Sequence, residues 1–298
     1  MPKIIRVRYE RGVLKPLEPL DLSDGEETYI VIVSGRKNSI SEGFSSFGSN
    51  EKSIIDPYEL KKDKILHNKG IVLAFAPRLF TKLKRELGYV KPIKLSGWLF
   101  KSYEGVYHGK EVVITLPFPG SPAAVAALEV LTAMGGEVFV VVGYVGAISP
   151  ALKIGDVLIP TWGVREEGTS FHYIPTNSYV PKPDNKLVET LYTHAIELKG
   201  RRRIKVVKGG IWTTDVIFRE TLDKVIKYSS KGIYGVDMES TALMTVADCR
   251  NVKLGVIAAV SDELHHDGRW IRGFSTQRLR RTENLVAKAA LNTVADFI

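Results

Sequence analysis

The chain has 298 residues, of which 44% are hydrophobic and 25% charged, with a net charge of +9 and a single cysteine. That length admits one large domain or two unequal ones, the balance is that of a globular protein, and one cysteine excludes an intrachain disulfide. No apolar run reaches the roughly 20 residues of a membrane helix. Met1-Pro2-Lys3 leads straight into strand-like sequence without an apolar signal core. These features point to a cytoplasmic protein.

Residues 3–9 alternate apolar and basic side chains, the period of a strand. Glu10-Arg11-Gly12 supplies a turn, Val13-Leu14-Lys15 can pair back, and Pro16 and Pro19 break the ladder. Residues 28–33 read as another strand. Residues 34–53 are rich in Ser, Gly and Asn, the composition of a flexible linker. The expected division is a small β-domain over 1–35, a linker over 36–53 and a main domain over 54–298. Residues 1–53 hold eight Lys or Arg and eight Asp or Glu. The positive excess therefore lies downstream, and zero net charge argues against nucleic-acid binding by the first segment.

Beyond residue 54 strands alternate with helices. A short apolar strand is expected at 71–75 and a helix at 77–87, ended by Gly88. Residues 95–107 and 111–116 form a hairpin turning at His108-Gly109. Ser121 reads as the cap of a helix over 123–134, with Pro122 in its first turn. Further buried-type strands fall at 138–142, 157–161, 206–213 and 254–260, and helices at 187–198, 237–249 and 277–297. The basic run Arg201-Arg202-Arg203-Ile204-Lys205 reads as a solvated loop, and Cys249 as a buried thiol. Strand–helix alternation of this kind predicts an α/β three-layer sandwich with a central mixed sheet, beside the small all-β domain. The single glutamine, Gln277, hints at a heat-adapted source.

Candidate site residues cluster at strand and helix ends. Gly235-Val236-Asp237-Met238-Glu239-Ser240 places Asp237 and Glu239 where an apolar segment turns into a helix. There the positive helix end favours a carboxylate, which can accept two hydrogen bonds from a diol. Pro119-Gly120-Ser121-Pro122 puts a glycine turn at a helix N-terminus, a geometry suited to anions. Val142-Gly143-Tyr144-Val145-Gly146 ends a buried strand with glycines whose amides can face a ligand. Asp262, in Val260-Ser261-Asp262-Glu263, stands at a strand's C-terminal end, where α/β sheets build their sites and a general acid can work.

Two resemblances follow from these words. Residues 5–22, Ile-Arg-Val-Arg-Tyr-Glu-Arg-Gly-Val-Leu-Lys-Pro-Leu-Glu-Pro-Leu-Asp-Leu, resemble the β-domain of the AF2212-like antitoxins, which implies dimerisation or a protein partner through residues 1–35. The main domain resembles the nucleoside phosphorylase family, in the branch of uridine phosphorylase and hexameric purine nucleoside phosphorylase. Its matching stretches are Gly120–Glu129, Val142–Ile148, Leu152–Leu158, Val164–His172, Trp212–Asp215, the acidic helix and Ser261-Asp262. The resemblance implies cleavage of a nucleoside's N-glycosidic bond by phosphate, giving free base and ribose 1-phosphate, in a homo-oligomer (a dimer or a hexamer). No metal or cofactor is expected beyond phosphate as co-substrate. It implies that Glu239 holds the ribose hydroxyls with Met238 against the sugar, beside Asp237 and the Gly143-Tyr144 strand end. Thr213, Thr214, Asp215 and Phe218 wall the base, Arg219 reaches its edge, His172 belongs to the substrate-binding set, and Asp262 protonates the leaving base. The phosphate side departs from the family pattern. Ala74-Phe75-Ala76-Pro77-Arg78 lacks the family's glycine and aspartate, Val141 stands where relatives carry an arginine, and the arginine lent by a neighbouring subunit falls near Trp98. Arg78 and Lys101 are the nearest substitutes. Water as nucleophile, or a non-catalytic ligand-binding role, stand as alternatives, although no glutamate lies between 71 and 78 to activate water.

Overall fold

The computed structural model describes residues 7–10, 12–17, 19, 54–57, 64–94 and 100–298. The strand expected at 28–33, the linker at 36–53, residues 3–6 of the first strand and Trp98 lie outside the described residues. Contacts divide the chain into two compact units, 1–45 and 46–298. In the first, β1 (Val7–Glu10) and β2 (Val13–Pro16) form the expected antiparallel hairpin, with Val7 opposite Pro16 and Glu10 opposite Val13. Gly12 takes φ 87° in the turn, a conformation that glycine adopts without steric cost.

The second unit alternates strands and helices. In order come β3 (Gly70–Ala74), α1 (Pro77–Glu86), β4 (Gly88–Ile93), β5 (Phe100–Tyr107), β6 (Lys110–Pro117), α2 (Ser121–Ala133), β7 (Val138–Ala147) and β8 (Val157–Arg165). Then follow α3 (Asn185–Lys199), β9 (Val206–Thr213), α4 (Leu222–Ser229), β10 (Ile233–Asp237), α5 (Ser240–Arg250), β11 (Lys253–Leu264), β12 (Trp270–Arg272) and α6 (Gln277–Asp296). One mixed sheet runs β12-β11-β8-β9-β10-β7-β3-β6-β5-β4, and β11 also pairs with β7. That extra pairing closes β7, β10, β9, β8 and β11 into a ring.

The β-branched runs of these strands are buried on both faces, and alternation sends neighbouring side chains to opposite sides. Val72, Val138, Val140 and Val142 pack with α1, α3 and α6. Ile71, Leu73, Phe139, Val141 and Val145 pack with α2 and α5. Helix layers on both faces of a mixed sheet are the three-layer α/β architecture expected.

The turn at His108-Gly109 carries positive φ at both residues (48° and 79°), the requirement of a two-residue hairpin. Other expectations shift. α1 stops at Glu86, and Gly88 opens an unforeseen strand, β4. β7 and β11 run well past their predicted ends because ring closure gives their distal halves partners. α4 and β12 were not foreseen. The cap of α2 is Gly120 at φ 98°, not Ser121, whose hydroxyl instead donates to the carbonyl of Met238 at 2.7 Å. Cys249 is exposed in the last turn of α5, because only residues 240–247 of that helix face the core.

Ring closure brings backbones close. A Cβ built on Gly235 of β10 meets Val145 Cγ2 at 2.4 Å and the Gly146 carbonyl at 3.1 Å. Gly235→Ala is therefore expected to destabilise the protein by about 1–3 kcal/mol through overpacking, read as a lowered thermal midpoint. Alanine at Gly143, where nothing lies within 4 Å, should leave the midpoint near that of the wild type.

Candidate active site

The acidic segment bridges β10 and α5. Asp237 ends β10, Glu239 stands at the N-cap position, and the helix begins at Ser240. Asp237 is the local anchor. Thr213 Oγ1 donates to its Oδ1 at 2.6 Å, and the Ser240 amide (3.0 Å) and hydroxyl donate to its Oδ2. Thr213 in turn accepts the Thr241 amide at 3.0 Å, so the end of β9 is tied to the start of α5. Glu239 does not cap its own helix. Its Oε1 accepts the Gly120 amide at 2.7 Å, joining the N-termini of α2 and α5. Burial, and then the neighbouring Asp237, push the Glu239 carboxyl well above the usual carboxylate range. Burial raises Asp237 as well, and the hydrogen bonds from Ser240 and Thr213 restrain that shift.

Asp262 reaches this region through a register shift. In the β7–β11 ladder Val260 faces Val145 and Asp262 faces Gly146, so Ser261 is the extra residue of a bulge. Bulges re-aim side chains at strand ends; this one sets Asp262 opposite Gly146, whose other neighbour is Val236 of β10. A Cβ on Gly146 would lie 3.3 Å from both Asp262 Oδ2 and Val236 Cγ1, so a glycine floor separates the aspartate from the acidic segment. The Trp270 indole donates to Asp262 Oδ2 at 2.7 Å, and the Ser261 hydroxyl to Oδ1. A cavity of about 400 Å³ opens alongside, lined among others by Ala147, Ile148, Leu264, His265 and His266. Leu264 packs over the same Gly146.

A fourth carboxylate, Glu220, joins them from the loop before α4. Burial first, then Asp262 and Asp237, push it up to about 7. No feature of the sequence singles it out. A glutamate just ahead of a helix carries no spacing signal, and only the fold sets it in the field of two distant aspartates.

The remaining candidates separate. Gly143 lies between Val141 and Val145 on the α2/α5 face, where the space above it is open. Met238 is half-buried, its carbonyl holding Ser121. Thr214 is buried, and Asp215 accepts the Gly168 amide at 2.8 Å. That bond ties the β9 end to the short 3-10 turn Thr169–His172, which carries His172. Phe218 is 91% exposed and Arg219 also faces solvent, so neither walls a pocket in this chain as it stands. The substrate-binding candidate Tyr144 and the phosphate candidate Arg78 are occupied elsewhere. Alternation turns Tyr144 to the α1/α6 face, where its hydroxyl donates to Glu283 Oε1 at 2.6 Å. Arg78 ion-pairs with Glu283 and donates to the Phe274 carbonyl (2.8 Å) and Tyr144 Oη (3.2 Å). Its guanidinium is thus spent on a buried carboxylate rather than offered to an anion. Lys101 is exposed on β5 opposite Leu116. Among the described residues no group of three or more His, Cys, Asp or Glu side chains is placed to hold a metal ion, and no helix is long and apolar enough to cross a membrane.

Layered helices around a partly closed mixed sheet match the fold of solved nucleoside phosphorylases. Uridine phosphorylase of Vibrio fischeri ES114, solved in complex with 6-hydroxy-1-naphthoic acid, superposes with a TM-score of 0.68 at 22% identity, covering 78% of this chain and 94% of its own. Purine nucleoside phosphorylase of Toxoplasma gondii, in complex with immucillin-H, gives 0.69 at 19% identity, covering 78% and 93%. Residues 70–298 match the family described as the Phosphorylase superfamily, and the chain belongs to it. Residues 1–60 match the AF2212-like family. A DeoD-type purine nucleoside phosphorylase of Bacillus cereus is 29% identical over 163 residues, 54% of this chain and 68% of the relative. An uncharacterised protein of Acanthamoeba polyphaga mimivirus is 26% identical over 219 residues, 72% and 84% of the two chains.

Proposed function

We propose that this protein cleaves the N-glycosidic bond of a nucleoside by phosphorolysis, releasing free base and ribose 1-phosphate. The observation that carries the reading is the buried Glu239 carboxyl, fixed by the Gly120 amide where the N-termini of α2 and α5 meet, with Asp262 on β11 opposite Gly146. Breaking this bond builds positive charge on the sugar and negative charge on the base. A carboxylate under the sugar and an acid beside the base answer both. Glu239 accepts from the ribose hydroxyls, with Asp237 and Thr213 holding the segment rigid, and Asp262 protonates the departing ring, a step worth about a hundred- to ten-thousand-fold in rate. The same proposal includes a homo-oligomer and a protein partner for residues 1–35.

One observation favours water as the attacking group. Arg78 is engaged by Glu283, and Val141 is packed in the core where the family resemblance calls for an arginine. Incubation with a purine and pyrimidine nucleoside panel, with and without phosphate, separates the two. Free base appearing only with phosphate supports phosphorolysis, and equal release without phosphate replaces it by hydrolysis. No release from any nucleoside overturns both and leaves a ligand-binding protein of the same fold.

A further inference from the structure

The basic run after α3 does not stand alone in the fold. Arg202, Arg203 and Ile204 meet Arg278 and Arg281 of α6 around a cavity of about 430 Å³. Residues 199–205 and 278–281 together carry eight cations and no carboxylate, close to the whole net charge of +9. Among the described residues the only carboxylate paired with a cavity arginine is the buried Asp156, and it is already shared. Its Oδ1 takes Arg278 (2.7 Å) and the Lys205 amide (3.0 Å), and its Oδ2 the Lys153 amide (2.9 Å).

Two of the four guanidinium groups are therefore fixed. Arg278 is held by Asp156, and Arg202 by the last-turn carbonyls of α3, at Lys199 (3.1 Å) and Leu198. The side chains of Arg203 and Arg281 make no hydrogen bond or ion pair among the described residues. Like charges gathered at one concavity repel, and an anion seated among them removes the repulsion while taking bidentate bonds from planar guanidinium forks. Among the described residues no aromatic ring and no carboxylate lines the cavity, so none of them reads a base or a sugar there. Its size suits a small ligand rather than a strand tracked along a groove. It also lies on the α3/α6 side, away from the α2/α5 face that carries Glu239.

We infer that this arginine cavity is a second binding site, for a small ligand carrying two or more linked phosphates and recognised through those phosphates alone. The test is calorimetric titration of the full-length protein with inorganic tripolyphosphate and with a nucleoside triphosphate, together with thermal midpoints and with sulfate at matched ionic strength as control. Both polyphosphates are expected to bind equally, to raise the midpoint, and to weaken with salt, whereas sulfate does neither. The double variant Arg203→Glu/Arg281→Glu removes the two unpartnered groups and should lower affinity by about tenfold or more, since charge-assisted hydrogen bonds are among the stronger ones. Its ligand-free midpoint should match the wild type, and Arg203→Gln/Arg281→Gln serves if the charge reversal fails to fold. Glu239→Gln should bind polyphosphate as the wild type does. Undiminished binding in the double variant, an equal effect of sulfate, loss of binding in Glu239→Gln, or binding of duplex nucleic acid without saturable binding of tripolyphosphate would each overturn the assignment.

Discussion

Glu239→Gln is expected to lower kcat by about 100- to 1000-fold, the usual cost of removing one preorganised electrostatic group, while the protein stays folded. Glutamine keeps the shape and still accepts the Gly120 amide, so the link between α2 and α5 survives. What it lacks is the negative charge, carried above the raised native pKa, that a developing cationic sugar calls for. The pH dependence of stability supplies a second readout. The folded-state pKa of Glu239 lies above its unfolded value, so between the two the native protein binds more protons than the unfolded chain. Stability then falls as pH rises from the unfolded carboxylate value of about 4.3 up through the raised native value. Asp237 contributes with the same sign. The variant should show a flatter decline and equal or greater stability at alkaline pH. Undiminished turnover would remove Glu239 from the mechanism, and an unaltered pH slope would mean that its carboxyl is not buried as described.

Arg78→Ala should unfold the protein more readily rather than abolish phosphate use selectively. Glu283 has no side-chain exposure, and Arg78 is its main cation, with Lys82 at 3.7 Å. Removing one member of a buried pair typically costs about 3–5 kcal/mol. Arg78 is 43% exposed and Lys82 remains, so about 2–3 kcal/mol is the appropriate expectation after solvent screening. For a unit of this size that is a fall of roughly 5–10 °C in thermal midpoint. Removing both charges, as Arg78→Met/Glu283→Leu, should restore most of the loss, because no carboxylate is then buried alone. A normal midpoint in Arg78→Ala, with the phosphate KM raised severalfold, would return Arg78 to the phosphate site.

The chain's own order of residues determined the class of fold and the main carboxylates. Runs such as Val138–Val142 and the Gly and Pro punctuation around them act over a few residues, so strands, helices and the β1–β2 hairpin are visible without knowing what they touch. Glu239 and Asp262 stand out for the same reason, each at the end of an apolar segment. What tertiary structure alone decided is which groups meet. The pairing of β11 with β7 lengthened both strands, and the bulge at Ser261 set Asp262 opposite Gly146. Alternation about Gly143 turned Tyr144 to Glu283 and drew Arg78 with it, and the turn after β9 left Phe218 in solvent. Burial, and then two aspartates on other strands, raised the Glu220 carboxyl, and α6 carried Arg278 and Arg281 to a loop far earlier in the chain. These are contacts between residues far apart in sequence. Local propensity carries no record of them, because they exist only once the sheet has closed and fixed which face each side chain takes.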